Sequence, residues 1–195
     1  NSQDPYDRLE EMMKWNRNQG HQLQAFVLCA ERSQFDRSLS PSSKVFRSKI
    51  TALSRELDMG IHPSYISNSN IGTLSKELMR LSEMISQKIV KSRQHFLKLH
   101  LPDTYRHLID QGIEEDYTMG FAEDIGFRAG TSRPFFWYDL EKNVVTHLRI
   151  VPFHVMDVTL KKYLALSPSD ALKAVQELVE VIKNVDGHFC LIWHN

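Results

Sequence analysis

Helical segments alternate along this chain with short, wholly apolar segments of strand length. The clearest helical segment is residues 167–187, in which apolar side chains recur every three or four positions. Two of the strand-like segments are residues 23–31, LQAFVLCAE, and residues 188–195, HFCLIWHN. Strands that are apolar on both faces are typical of a parallel sheet covered by helices. The sequence therefore predicts an α/β fold, either an open doubly wound sheet or a closed barrel.

The absence of a glycine-rich phosphate-binding fingerprint weakens the first of these alternatives. Residues 1–195 are predicted to form a single domain, because a chain of this length with 42% hydrophobic residues can bury one core. The 24 basic and 24 acidic side chains balance, which argues against nucleic acid as a partner. No apolar stretch approaches the roughly 20 residues of a membrane span, and no secretory signal is visible, so a cytoplasmic location is expected.

The two cysteines, Cys29 and Cys190, both lie in apolar strand-like segments. Buried free thiols are the simpler interpretation of this placement, and a disulfide or redox pair is the alternative. The spacing does not match a zinc-binding cysteine cluster.

Polar side chains stand where the predicted strands end. In a parallel barrel these ends meet at one rim, where ligands bind. Histidines, an arginine and a carboxylate gathered there would suit metal-assisted hydrolysis. Each residue alone also has a structural interpretation, such as a turn histidine, an ion-paired arginine or a solvated acidic cluster. The residues concerned are His62, Ser64, Arg93, His95, Asp116, Tyr117, His194 and Asn195.

An aromatic-rich segment, residues 121–140, lacks a clear period and is predicted to be a long ordered loop. Its aromatic run, Phe135, Phe136, Trp137 and Tyr138, has two interpretations. The side chains either pack locally or form a platform for a sugar.

Five segments, in this order, resemble a bacterial branch of the polysaccharide deacetylase-like proteins. They are GIHPSY, SRQHFLKLHLPDTYRHLIDQGIEEDYTMGF, GFRAGTSRPFFWYDL, PFHVMDVTLKKYL and LIWHN, and together they span nearly the whole chain. These proteins belong to the superfamily of carbohydrate esterase family 4, the NodB-type deacetylases. The resemblance implies a distorted (β/α) barrel with parallel strands. It also implies a divalent metal, commonly zinc, that polarises an N-acetyl carbonyl and activates water.

The resemblance also implies roles for individual residues. His62 matches the first histidine of the metal-binding motif, and His95 is placed by spacing as a second metal ligand. Arg93 matches the arginine that orients the catalytic base, and Asp116 stands at the family's fourth motif. His194 matches the histidine that donates a proton to the leaving amine. The predicted substrate-binding residues are Tyr65, Arg128, Trp137 and Tyr138.

Two departures from the family pattern leave two functions open. Ile66 stands where the family has its second metal-binding histidine, and the motif of paired aspartates expected before Pro5 is absent. Because the chain starts at Asn1 rather than methionine, it is expected to be a fragment whose missing first strand carries those aspartates. The first function is that of a hydrolase of the non-peptide amide bond of acetylated amino sugars or glycans. The second is that of an inactive barrel that binds carbohydrate without a metal.

Overall fold

The centre of the protein is a six-stranded, mostly parallel sheet. The structure, a computed structural model, describes residues 9–194. The strand order is β1-β2-β3-β4-β6-β5, and only β5 runs antiparallel to its neighbour. The strands are β1 Gln24–Val27, β2 Asp58–Ile61, β3 Lys91–Ser92, β4 Glu115–Asp116, β5 Phe135–Asp139 and β6 Val144–Ile150.

Helices connect the parallel strands and supply the rest of the core. They are α1 Leu9–Gln19, α2 Lys44–Leu53, α3 Ile71–Ile85, α4 Asp103–Asp110 and α5 Pro168–Asn184. A second, two-stranded parallel sheet joins β7, Val155–Met156, to β8, Leu191–Ile192. No helix among residues 9–194 is long and apolar enough to cross a membrane.

The observed topology confirms the α/β class with mainly parallel strands and does not confirm a closed barrel. Within residues 9–194 the large sheet is open, with β1 and β5 at its two edges. Cys29 is buried and Cys190 half-buried, and both are free thiols, as the simpler interpretation expects.

The longest run of core-facing side chains lies on α3. Leu74, Leu78 and Leu81 recur on the face that packs against the sheet, and all three are buried. The helix begins at Ile71 because the Asn70 side chain accepts a hydrogen bond from the backbone N–H of Thr73.

The prediction of a loop over residues 121–140 is wrong for its last part, because Phe135–Asp139 forms strand β5. Inward-facing Phe135 and Trp137 alternate with more exposed Phe136, which is the period of a half-buried strand. Buried Asp139 accepts two hydrogen bonds from Arg106 on α4, at 2.7 and 2.8 Å, and these bonds hold the β5–β6 hairpin against the helix.

Candidate functional site

The carboxyl ends of β2, β3 and β8 bring the predicted polar residues to one rim. His62 directly follows β2, whereas Arg93 and His95 follow β3. The register pairs Ile61 with Ser92, so the next residue on each strand, His62 and Arg93, also lie side by side. His194 follows β8 and is near enough for its charge to lower the pKa of His62.

His62 and His95 form a pair whose four ring nitrogens all have partners. His62 Nδ1 lies 2.5 Å from the carbonyl oxygen of Arg93, and His95 Nε2 lies 3.0 Å from that of Phe35. The remaining nitrogens, His62 Nε2 and His95 Nδ1, face each other across 2.9 Å. The two rings meet edge to face, with their centroids 4.8 Å apart.

The carbonyl partners determine which nitrogen of each ring carries a proton. A carbonyl oxygen only accepts, so His62 Nδ1 and His95 Nε2 must each donate a hydrogen bond. In two neutral rings, the facing nitrogens then both present lone pairs. A third proton or a metal ion between the two nitrogens would relieve the repulsion between these lone pairs. Histidines that bind metals commonly donate their other N–H to a backbone carbonyl in this way.

The distance between the facing nitrogens is near that of two ligands on one zinc ion. Zinc–nitrogen bonds of about 2.0–2.1 Å in a tetrahedron place two ligand nitrogens roughly 3.4 Å apart. The observed 2.9 Å between His62 Nε2 and His95 Nδ1 would need to open by only a few tenths of an ångström. Burial, and then the charges of Arg93 and His95, hold the pKa of His62 well below its usual value. The His62 ring is therefore neutral at pH 7, as a metal ligand must be.

Two buried carboxylates that the sequence analysis missed hold the loops behind this pair. Asp36 accepts a hydrogen bond from the backbone N–H of Tyr65 at 3.0 Å and lies 3.8 Å from His95 Nε2. Glu77 on α3 accepts one from the backbone N–H of Ser64 at 3.0 Å. Only the apolar strand before Asp36 and the helical period around Glu77 hinted that either side chain is buried.

Arg93 places a positive charge next to the histidine pair. Its guanidinium stacks on the ring of Phe26, 4.8 Å from the ring centroid. Burial lowers the pKa of Arg93 to about 10, while Cys190 and Asp157 act in the opposite direction. The group remains a cation at neutral pH, so it can attract an anion into the rim.

His194 is oriented by a carboxylate, Asp157, that the sequence analysis did not single out. His194 Nδ1 lies 2.6 Å from Asp157 Oδ1, and the His194 backbone N–H donates to Asp157 Oδ2 at 3.2 Å. Burial raises the pKa of Asp157, but the hydrogen bonds and charge of His194 outweigh burial and lower it overall. An ionised Asp157 thus fixes the proton on His194 Nδ1 and leaves Nε2 for chemistry.

Asp116 is fully buried inside the sheet. Its carboxylate accepts hydrogen bonds from Ser92 Oγ at 2.6 Å and from Thr118 Oγ1 at 2.8 Å. Thr118 Oγ1 in turn accepts from the backbone N–H of Gln94, between Arg93 and His95. The catalytic role of Asp116 stays a prediction, and its contacts favour a part in holding the β3 loop in place.

The Asp116 carboxyl is expected to make the protein less stable as pH rises from about 4 to 7. Burial raises its pKa to about 6, so the folded state binds a proton more readily than the unfolded state. Each pKa unit is worth about 1.4 kcal/mol, and the loss is on the order of 3 kcal/mol. Half-buried His62 and buried His154, whose pKa values are lowered, act in the opposite sense.

Asp116→Asn isolates this effect, because the other titrating groups are common to both proteins. The measurement is the free energy of unfolding by urea at pH 4.5 and at pH 7 in each protein. Between pH 4.5 and pH 7, the free energy of unfolding of the parent should fall more, or rise less, than that of the variant. Identical pH dependence in both proteins would contradict the raised pKa.

The four predicted substrate-binding residues do not come together. Tyr65 lies beside the histidine pair, in the loop after His62. Trp137 packs edge to face on Tyr105 of α4, 5.3 Å between ring centroids, and Tyr138 donates a hydrogen bond to Asn143 in the hairpin turn. The last of the four, Arg128, donates to the carbonyl of Gly120 at 3.1 Å. Their binding roles remain predictions, and the contacts of Trp137 and Tyr138 are those of the hairpin.

The described residues do not by themselves form a complete metal site. No group of three or more His, Cys, Asp or Glu side chains among residues 9–194 is arranged to hold a metal ion. Ile66, at the position of the expected second histidine, has a side chain that is 60% exposed. His62 and His95 therefore fit two positions of a metal site whose third protein ligand would have to come from elsewhere.

Comparisons with known proteins reveal a similarity in fold. No protein-family model matches the chain, and neither does any curated protein. A candidate polysaccharide deacetylase from Mycobacterium smegmatis superposes with a TM-score of 0.67 and 12% identity, over 97% of this chain and 63% of that one. A second candidate, involved in O-antigen biosynthesis in Bordetella bronchiseptica, gives 0.46 and 15%, over 80% and 55%.

The fold of this chain is thus polysaccharide deacetylase-like, as the order of its sequence motifs predicts. The M. smegmatis structure carries this conclusion. The chain spans 63% of the length of that protein.

Proposed function

We propose that this protein is a metal-dependent hydrolase that removes the N-acetyl group from an amino sugar or a glycan. The carrying observation is the His62–His95 pair, whose two lone pairs converge beside Arg93. The name of the M. smegmatis protein, a candidate polysaccharide deacetylase, supports the same substrate class.

His62 Nε2 and His95 Nδ1 would hold the divalent metal, for which zinc is a suitable choice because it accepts imidazole ligands. A bound metal of this kind polarises a carbonyl and lowers the pKa of water. Two carboxylates from outside residues 9–194 would be needed, one as a third metal ligand and one as the base. Arg93, held as a half-buried cation, would orient the base carboxylate by charge.

His194 would act as the general acid. When the amide bond breaks, the departing amine needs a proton, and a positioned imidazolium can supply it from Nε2. Asp157 Oδ1 lies 2.6 Å from the opposite nitrogen, Nδ1, which orients the ring.

We also propose that the sheet is part of a distorted (β/α) barrel. The backbone N–H of Phe153, just before β7, donates to the carbonyl of Met119, just after β4. The N–H of His154 donates to the carbonyl of Cys190, just before β8. These hydrogen bonds join the small sheet to the segment after β4, which supports a place for both sheets in one barrel wall.

The alternative function is carbohydrate binding without catalysis. Ile66 favours it, because it removes the ligand that the resemblance expects. Release of acetate from oligomers of N-acetylglucosamine distinguishes the two functions. The full-length protein with zinc or cobalt should release acetate and should stop doing so after chelation. Glycan affinity that survives chelation, with no acetate released in the presence of metal, would contradict hydrolysis.

A further inference from the structure

Three aromatic side chains, Phe35, Tyr65 and Phe96, form a cluster at the edge of the histidine pair. The rings of Phe35 and Tyr65 stack at 4.3 Å between centroids. Phe96 meets both edge to face, at 6.1 and 5.6 Å, and its ring centroid lies 4.5 Å from that of His95. These three residues are here named the aromatic cluster.

The aromatic cluster is exposed rather than part of the core. Phe96 is 60% exposed and Phe35 is 43% exposed. Aromatic rings stabilise a fold most when they are buried. Neighbouring exposed rings beside a polar site therefore indicate a binding surface.

The backbone under the cluster is held in an unfavourable conformation. Phe96 has φ of 56° and Leu97 has φ of 50°, in the left-handed region that non-glycine residues seldom adopt. The surrounding structure fixes this segment, since the Asn68 side chain donates to the carbonyl of Lys98 at 2.8 Å. Strain of this kind, retained in one short segment, is typical of a site where side-chain direction matters.

The cluster is also joined to the histidine pair through shared contacts. The Phe35 carbonyl accepts from His95 Nε2, and the Tyr65 backbone is held by Asp36. Lys98 Nζ lies 4.1 Å from the centroid of the Tyr65 ring and holds it by a cation–π contact. The rings and the ring nitrogens of the site are therefore fixed by the same few loops.

We propose that the aromatic cluster binds the pyranose ring of the substrate through its C–H face, with the exposed ring of Phe96 as the stacking surface and the perpendicular ring of Phe35 as the side wall. This inference rests on the proposed function for the identity of the ligand. A pyranose with equatorial hydroxyls presents C–H groups on its two flat faces, which suit the negative face of an aromatic ring, while its hydroxyls stay in water. The ring centroids of Phe96 and His95 lie 4.5 Å apart. A sugar stacked on Phe96 would therefore lie beside the histidine pair.

The test is the affinity of the full-length protein, treated with EDTA, for the tetramer of N-acetylglucosamine, measured by calorimetry. Phe96→Leu and Phe35→Leu keep an apolar side chain but remove the ring, and each is expected to raise Kd roughly tenfold. Phe96→Trp should retain the affinity. Trp15→Leu is the matched control, because Trp15 is 58% exposed but lies on α1.

Unchanged affinity in both leucine variants would overturn the proposed subsite, and so would the absence of measurable binding by the parent protein. The outcome is separable from that of the proposed function. If ring-dependent binding occurs without acetate release, the subsite stands and hydrolysis fails. If acetate is released with the same KM in the parent and both leucine variants, hydrolysis stands and the subsite fails.

Discussion

Replacement of His62 by alanine is expected to lower the affinity for zinc or cobalt more than about a hundredfold. Loss of a residue behind a metal ligand commonly costs 10–100-fold, and loss of a ligand itself should cost more. The His62 ring is oriented by the Arg93 carbonyl at its Nδ1, and the low pKa that burial causes keeps the ring neutral. Cobalt is the practical probe, because its visible absorption reports the number and type of ligands.

His147→Ala is the matched control, because His147 is an exposed histidine on β6 that lies outside the site. It should bind cobalt with the affinity and spectrum of the parent. If His62→Ala also kept both, the metal would be held elsewhere and the histidine pair would not be its site. Circular dichroism of the metal-free variant checks that the substitution has not unfolded the protein.

The second large effect is expected at His194. His194→Ala should lower kcat for acetate release by roughly 10²–10⁴-fold, the usual contribution of a positioned general acid or base. The metal affinity should change little, because the proposed proton donor acts on the leaving amine and not on the metal. Asp157→Asn should give a smaller loss of kcat, because an amide can still accept the hydrogen bond but cannot stabilise the imidazolium charge.

The chain offers a matched control in a second histidine–aspartate pair. His100 Nδ1 lies 3.3 Å from Asp103 Oδ2 on an exposed surface. His100→Ala should therefore leave kcat unchanged. A full rate in His194→Ala would remove the proton donor from the proposed mechanism, whereas an equal loss in His100→Ala would indicate a general effect on stability.

The sequence predicted which residues stand at the rim, because the end of each strand can be recognised from the residues next to it. His62 and Arg93 each follow a short β-strand, and parallel pairing then places them together. The same reasoning does not show which way Asp116 points, because Asp116 is paired in register with Ser92 and not with Arg93. Because side chains alternate along a strand, one residue's difference in register is enough to point a carboxylate into the core.

The residues that the sequence analysis missed depend on contacts between distant parts of the chain. Asp157 and His194 are 37 residues apart, and nothing in either segment identifies the other as its partner. Phe35 and Phe96 meet only because the loops after β1 and β3 lie side by side. The aromatic run at residues 135–138 is more conspicuous in the sequence, but it forms part of strand β5. Local periodicity therefore located the elements, and tertiary packing decided which side chains share a site.

The most direct test of the histidine pair is an anomalous diffraction map, measured at the zinc absorption edge, from crystals of the full-length protein grown with zinc. We predict one strong peak about 2.0–2.1 Å from both His62 Nε2 and His95 Nδ1, with the two nitrogens slightly farther apart than 2.9 Å. A map without a peak between the two rings at millimolar zinc, with the nitrogens still in direct contact, would contradict it.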